Sequence, residues 1–271
     1  AYAEQMKLNN YGNIALKYDG VYKVSDTALK LGDGGLIGMR ADASTEALNR
    51  GTIDIVLTST EMSADTDVAA GMLSVHGAEI TNGTKGAPYN GLNGATGGTI
   101  RITNEAQSGG VSYGMLAAKG DGTQTKLYQW KAPKVYNYGL IDMLTSNSYA
   151  MASFAGGEVV NNGVINLGYD KGGSFYKNNY GIYGAGGDDT ASATLVNNGI
   201  INVYATESTA LYNAFAGAVT LENNGKIYIS NKATNSQALG GNFSEAVNRG
   251  LIEYKVGNSE NAGIGGAVGE A

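Results

Sequence analysis

The stretch Asn161-Asn162-Gly163-Val164-Ile165-Asn166-Leu167 carries the pattern that decides the fold, Asn-x-Gly-x-Ile-x-hydrophobic. Further copies begin at Asn10, Asn49, Asn137, Asn197, Asn223 and Asn248, and an eighth, Gly98-Thr99-Ile100-Arg101-Ile102, lacks the asparagine. On a strand, the isoleucine and the hydrophobic residue two positions later point to the same side, which predicts that both face a core. The Asn-x-Gly element predicts a tight corner, because glycine and asparagine adopt a positive φ at low cost.

A second motif alternates with the first along the whole chain: a small or polar residue, any residue, Gly or Ala, then a hydrophobic residue. Ser148-Tyr149-Ala150-Met151 is a clear copy, and Asp26-Thr27-Ala28-Leu29 is the degenerate copy expected in the first repeat. A third apolar stretch precedes each asparagine. Three short strands per repeat describe one coil of a parallel β-helix. We therefore predict an all-β, right-handed parallel β-helix of about eight three-strand coils, with residues 1–271 forming one solenoid domain.

Two competing fold classes fit the pattern less well. Gly and Asn interrupt every helical window, and strict alternation replaces the 3.6-residue period. A β-sandwich would not need the same corner chemistry at every third strand. In the β-helix, Asn161, Asn197 and Asn223 should form a side-chain ladder. The motif isoleucines should stack as one buried row: Ile14, Ile53, Ile100, Ile141, Ile165, Ile201, Ile227 and Ile252.

The composition excludes several classes of protein. Glycine accounts for 42 of 271 residues but does not recur at every third position, so collagen is excluded. A net charge of -6 without a Lys- or Arg-rich run argues against nucleic acid and anionic lipid as partners. The chain has no cysteine, which removes disulfides, thiol catalysis and cysteine metal sites. It also contains no signal peptide and no apolar stretch long enough to span a bilayer.

The coils are unequal, and the extra length predicts where a ligand would bind. Insertions at 30–47, 75–97 and 117–136 are expected to leave equivalent arcs of three successive coils and to form one decorated face, with a separate loop at 168–177. Loops grouped on one face often bind, and exposed aromatic residues anchor such contacts. The candidate binding residues are Tyr89, Lys126, Tyr128, Trp130 and Lys131. The alternative is that these aromatic residues only pack the loops onto the coils.

Catalytic chemistry is sparse. The outward position after each motif isoleucine places Arg101 between Asp54 and Asp142, which is interpreted as a neutralising ion-pair row rather than an acid–base cluster. His76 is the only histidine and is interpreted as an ordinary loop residue. The calcium-roll nonapeptide is missing, and no glycine-rich loop has the context of a phosphate site. We expect no enzymatic activity, no metal and no cofactor.

The repeats Asn161-Asn162-Gly163-Val164-Ile165, Asn197-Asn198-Gly199-Ile200-Ile201 and Asn223-Asn224-Gly225-Lys226-Ile227 resemble the β-helical passenger region of Gram-negative autotransporter (type V secretion) adhesins. The resemblance covers nearly the whole chain, and it is specific for architecture rather than for activity. It implies a fragment of a longer passenger, exposed at the cell surface or secreted, with a C-terminal translocator barrel outside this sequence. It also implies a role in virulence through adhesion to host cells or to other bacteria.

Several functions fit this resemblance. The first is an adhesin passenger whose projecting loops bind a protein or glycan on a host or bacterial cell surface. The alternatives are a purely structural stalk, a toxin-like passenger and, least consistent with the sequence, a polysaccharide-degrading β-helix enzyme. A monomer is expected, although trimeric adhesin heads also use Gly- and Asn-rich coils.

Overall fold

The computed structural model describes residues 6–18, 36–42, 45–58, 68–86, 97–104, 111–118, 132–154, 156–169, 176–185, 193–214, 219–242, 245–255 and 262–266. All regular structure in these ranges is strand, and no helix there is long and apolar enough to cross a membrane. The strands form three parallel sheets of eight strands each, and successive strands along the chain visit the three sheets in turn. This arrangement confirms a parallel β-solenoid of eight three-strand coils. The right-handed sense stays an expectation from the usual hand of parallel crossovers.

Sheet A carries the stretch that precedes each repeat asparagine, and each of its strands ends at an asparagine. Its strands are β1 (Lys7–Asn10), β4 (Glu46–Asn49), β7 (Glu79–Asn82), β10 (Lys134–Asn137), β13 (Gly157–Asn161), β16 (Ala193–Asn197), β19 (Val219–Asn223) and β22 (Glu245–Asn248).

Sheet B carries the motif isoleucines. Its strands are β2 (Asn13–Tyr18), β5 (Thr52–Leu57), β8 (Thr99–Asn104), β11 (Leu140–Leu144), β14 (Val164–Leu167), β17 (Ile200–Val203), β20 (Lys226–Ile229) and β23 (Leu251–Tyr254). The eight isoleucines are paired in register from coil to coil. The six central ones are fully buried, so the predicted row is confirmed.

Sheet C carries the second motif. Its strands are β3 (Leu36–Asp42), β6 (Val68–Val75), β9 (Val111–Ala118), β12 (Ser148–Ser153), β15 (Asn179–Gly184), β18 (Thr209–Asn213), β21 (Gln237–Gly241) and β24 (Ala262–Gly266). The Gly or Ala of the motif lies against the core: a Cβ on Gly114 would meet the Ala150 carbonyl oxygen at 2.5 Å and the Ile141 side chain at 2.7 Å. Only a small residue fits here, which explains the Gly or Ala of the motif.

The predicted asparagine ladder extends over all eight coils. The side-chain amide of each asparagine donates to the side-chain oxygen of the next at 2.7–2.8 Å, through Asn10, Asn49, Asn82, Asn137, Asn161, Asn197, Asn223 and Asn248. The six central asparagines are fully buried. Asn82 therefore supplies the asparagine missing from the Gly98 copy, and an insertion separates it from Gly98.

The glycines of this corner have a different role from the predicted one. None of the eight repeat glycines has a positive φ. Instead they stack directly on one another: a Cβ on Gly199 would overlap the carbonyl oxygen of Gly163, and one on Gly225 would overlap that of Gly199. Positive φ occurs at the corner between sheets B and C, at Asn147, Asn178, Glu207 and Asn235.

The first coil corrects one sequence prediction. Leu36-Ile37-Gly38-Met39, not Asp26-Thr27-Ala28-Leu29, pairs with the second motif of the next coil, with Met39 opposite Met72. Its central residue is glycine, whose missing Cβ would lie 2.6 Å from the Gly71 carbonyl oxygen. Asp26–Leu29 lie outside the described residues.

The three ranges predicted to form one decorated face contain strands of the solenoid, and the decorated face itself stays a prediction. The range 30–47 contains β3 and the start of β4, the range 75–97 contains β7, and the range 117–136 contains most of β10. The stretches left between described strands are 19–35 at the corner from sheet B to C, 87–96 at the corner from A to B, and 119–131 at the corner from C to A. They therefore join the solenoid at three different corners. The separate loop at 168–177 joins β14 of sheet B to β15 of sheet C.

Candidate functional site

The candidate binding residues predicted from sequence, Tyr89, Lys126, Tyr128, Trp130 and Lys131, lie outside the described residues. Their role stays a prediction. His76 lies at the corner between sheets C and A, where its Nδ1 is 2.6 Å from Asp42 Oδ1. Within the described ranges, no group of three or more His, Asp or Glu side chains could hold a metal ion.

The outward face of sheet B has one of the two ion pairs of the predicted row. Arg101 lies 3.2 Å from Asp142, while no bond joins it to Asp54, whose Oδ1 is buried without a hydrogen-bond partner. The row continues through Asn166, which donates to Asp142 at 2.7 Å, and Asn202, which donates to Asn166 at 2.8 Å. This row is a chain of structural contacts between successive coils.

The outward face of sheet C carries stacked aromatic residues. Tyr149 stacks on Tyr113 and Tyr180 with ring centroids 5.1 and 5.2 Å apart, and Tyr183 stacks on Tyr212 at 5.8 Å. Burial first, and neighbouring tyrosines second, raise the pKa of Tyr113, Tyr149, Tyr180 and Tyr183. Their ring faces cover one another, so this cluster packs the sheet rather than offering open rings to a ligand.

The outward face of sheet A contains a groove of about 690 Å³. Two outward rows of strand residues line it. The first row is Glu46, Glu79, Lys134 and Glu158, and the second is Leu48, Thr81, Tyr136 and Val160. Alternation along each strand explains these positions, because their neighbours Ile80, Val135 and Val159 point into the core.

A third row, which we call the corner row, borders the groove and consists of the residue that follows each ladder asparagine. Its members are Tyr11, Arg50, Gly83, Tyr138, Asn162, Asn198, Asn224 and Arg249. From Arg50 onward, each backbone amide of the row donates to the carbonyl of the ladder asparagine in the preceding coil, at 2.6–2.8 Å. Gly83 leaves a gap in the row between Arg50 and Tyr138, and all three residues line the groove.

Hydrogen bonds and charge fix the side chains of the groove. The Tyr136 hydroxyl donates to Glu158 at 2.7 Å. Burial, this hydrogen bond and the nearby carboxylates raise the pKa of Tyr136, and burial followed by Glu79 and Glu158 raises that of Tyr138. Both therefore present neutral hydroxyl groups at physiological pH. Arg50 donates to the Tyr11 hydroxyl at 3.3 Å and lies 5.5 Å from the centre of its ring.

The charges of the groove are balanced between three carboxylates and three cations. The carboxylates are Glu46, Glu79 and Glu158, and the cations are Arg50, Lys85 and Lys134. Charges of both signs and tyrosine hydroxyls suit a polar ligand with many hydroxyl or amide groups. Sequence reasoning missed this site, because it searched the insertions. The sequence pattern that could have located it is the residue after each repeat asparagine. This residue varies from coil to coil, whereas the asparagine and the glycine recur.

Comparison with known families gives one match. No curated protein and no solved structure matches the chain significantly. Residues 122–234 match the model of the BigA fourth domain. The matched range includes part of the groove, with Lys134, Tyr136, Tyr138 and Glu158, and also Lys126, Tyr128, Trp130 and Lys131. This similarity, together with the solenoid, supports a surface adhesin-like protein with a cell-surface location.

Proposed function

We propose that this chain is part of the passenger of a surface-displayed autotransporter adhesin and binds a protein or glycan on a host or bacterial cell surface. The observation that carries the proposal is the groove of sheet A, with Arg50, Tyr136 and Tyr138 along it. Tyrosine and arginine are the residues that most often anchor interfaces. In this proposal the groove holds the ligand and releases it unchanged, and the translocator barrel lies outside this sequence.

The solenoid makes the groove rigid before any ligand arrives. The strands that bear Glu79, Tyr136 and Glu158 are paired on both sides, and the buried asparagine ladder fixes the adjoining corner. Tyr136 is further held by Glu158. A site that is already ordered loses little conformational entropy on binding, which favours affinity.

Binding of the purified chain to host cells, bacterial cells and arrays of glycans and surface proteins tests the proposal. Tyr138→Ala should weaken binding by about tenfold, because it removes a ring and a hydroxyl donor from the groove. Tyr228→Ala is the matched control, since Tyr228 is a half-buried tyrosine on the outward face of sheet B. It should leave binding unchanged.

The same assay separates this proposal from its competitors. If Tyr138→Ala and Arg50→Ala both bind as the parent does, the groove is not the site. If Trp130→Ala then abolishes binding, the ligand is held by the insertion that contains Trp130. If the folded chain binds none of the tested cells, glycans or surface proteins, the adhesin proposal fails, and the alternative of a structural stalk is favoured.

A further inference from the structure

We propose that the ligand of the groove is a linear glycan that lies parallel to the solenoid axis and extends from the groove along the asparagines of the corner row. This inference rests on the proposed function and adds the ligand class and its direction. The residues that would contact the extension are Asn162, Asn198 and Asn224, one in each of three successive coils.

These three asparagines form a second ladder outside the buried one. Asn198 donates to the Asn162 side-chain oxygen at 3.1 Å, and Asn224 donates to that of Asn198 at 3.0 Å. Asn198 and Asn224 are exposed, unlike the fully buried Asn197 and Asn223 that precede them. Each amide has two N–H groups and two oxygen lone pairs, so Asn198 keeps one donor and one acceptor for a ligand.

The corner does not require asparagine in this row. Other coils place Arg50, Gly83 or Tyr138 at the same position and make the same backbone hydrogen bond. The run of asparagines therefore adds something to the outer surface rather than to the turn. It begins in the coil that follows Tyr138, where Asn162 itself lines the groove. The polar surface thus continues without interruption from the groove along the axis.

The geometry of this surface suits a sugar polymer. One coil advances by about 4.8 Å, the spacing of paired strands, which is close to the length of one pyranose unit in an extended chain. At least one free donor and one free acceptor per coil match neighbouring hydroxyl groups of one sugar. Tyr136 and Tyr138 would contact the end of the glycan in the groove, where Arg50, Lys85 and Lys134 can also accommodate an acidic substituent.

An extended peptide fits the same surface less well. Peptides bind sheets by adding a strand at an unpaired edge. The strands beneath the groove and the outer asparagines, β7, β10, β13, β16 and β19, are each paired on both sides. No strand edge is open along these described strands.

The test measures affinity against glycan length. Size series from disaccharide to octasaccharide of cellulose, chitin, hyaluronan and heparan sulfate would be titrated into the chain by calorimetry. For the series that binds, affinity should rise with length until the outer asparagines are covered. The double variant Asn198→Ala/Asn224→Ala should lower the affinity for the longest oligomers by about tenfold and leave that for the shortest binding oligomer unchanged.

Asn202→Ala is the matched control, because Asn202 forms a similar outward amide contact on sheet B, and it should change no affinity. A second readout in the unsubstituted chain is the NMR signals of the Asn198 and Asn224 side-chain amides, which should shift on addition of octasaccharide and not of disaccharide. Affinity independent of length, unshifted amide signals, or binding to surface proteins alone would overturn the glycan proposal. In each of these cases the adhesin function stands if Tyr138→Ala still weakens binding, and it fails if no ligand binds at all.

Discussion

The two sides of strand β10 follow different rules. Val135 and Asn137 point inward, where other coils place a similar apolar residue and the same asparagine. Lys134 and Tyr136 point outward, where neighbouring coils place glutamate, threonine or valine instead. The inner side must match the coils above and below, because identical groups stack there at the strand spacing. The outer side is free of that constraint, and it is where this protein has its groove.

The largest effect is expected from the inner row of sheet B. Ile165→Ala should lower the free energy of unfolding by about 2–5 kcal/mol, because it leaves a cavity in a fully buried stack. Urea denaturation followed by circular dichroism measures it. Val164→Ala on the outward side of the same strand is the control and should cost less than half as much. Equal losses would show that the two sides contribute alike.

The second effect concerns the two kinds of asparagine. Asn197→Ala leaves the buried Asn161 amide and the buried Asn223 oxygen without their ladder partner, and should cost about 2–4 kcal/mol. Asn202→Ala removes one partly buried hydrogen bond to Asn166 and should cost about 0.5–1.5 kcal/mol. Thermal unfolding of both variants at the same pH makes the comparison. If both melt at the same temperature, the inner ladder adds no stability beyond an outward contact.

Sequence alone predicted the inner side well for this same reason. The isoleucine row, the ladder and the Gly or Ala position of sheet C each follow from a residue type that must recur. The predictions that were wrong or incomplete concern coils in which a repeat is interrupted or departs from its motif. An insertion separates Asn82 from Gly98. In the first coil the paired segment Leu36–Met39 departs from the second motif at Leu36, whereas Asp26–Leu29 matches the motif. The role of the corner glycines was missed because direct stacking of backbones is a property of neighbouring coils and not of one turn.

The groove could not be predicted from the repeat, because its residues come from four coils whose ladder asparagines are 33, 55 and 24 residues apart, and its outward side chains share no motif. Arg50, Glu79 and Tyr138 become neighbours only once the lengths of the insertions are known. What the sequence does contain is the contrast between constant and variable positions of the corner. The residue that follows the ladder asparagine in each coil is the member of the corner row.

A smaller effect is expected at high pH, from the tyrosines on the outward face of sheet C. The pKa values of Tyr113, Tyr149, Tyr180 and Tyr183 are raised from 10.0 in the folded chain, by burial above all. The unfolded chain therefore loses these protons first. The contribution of these tyrosines to stability should be complete well below pH 10.0 and should fall as the pH rises through that value.

Urea midpoints measured from neutral pH to about pH 11 test this expectation. Tyr183→Phe should reduce the alkaline loss, because it removes one of the titrating hydroxyls, and should change stability little at neutral pH. A midpoint that stays constant up to the highest pH would show that these hydroxyls ionise as easily in the folded chain as in the unfolded one.

The smallest change in stability is expected from two outward arginines, which differ in function. Arg101→Ala breaks a partly buried ion pair with Asp142, but Asp142 keeps the hydrogen bond from Asn166, so the cost should be about 1 kcal/mol. Arg50→Ala loses a contact with the exposed Tyr11 and should cost as little. Only Arg50→Ala should weaken ligand binding, because only Arg50 lines the groove. Denaturation and binding measured on the same two proteins separate the effects. A loss of stability in Arg101→Ala as large as that of Asn197→Ala would mean that outward contacts also hold the coils together, and the outer surface would then be less free to vary than its sequence indicates.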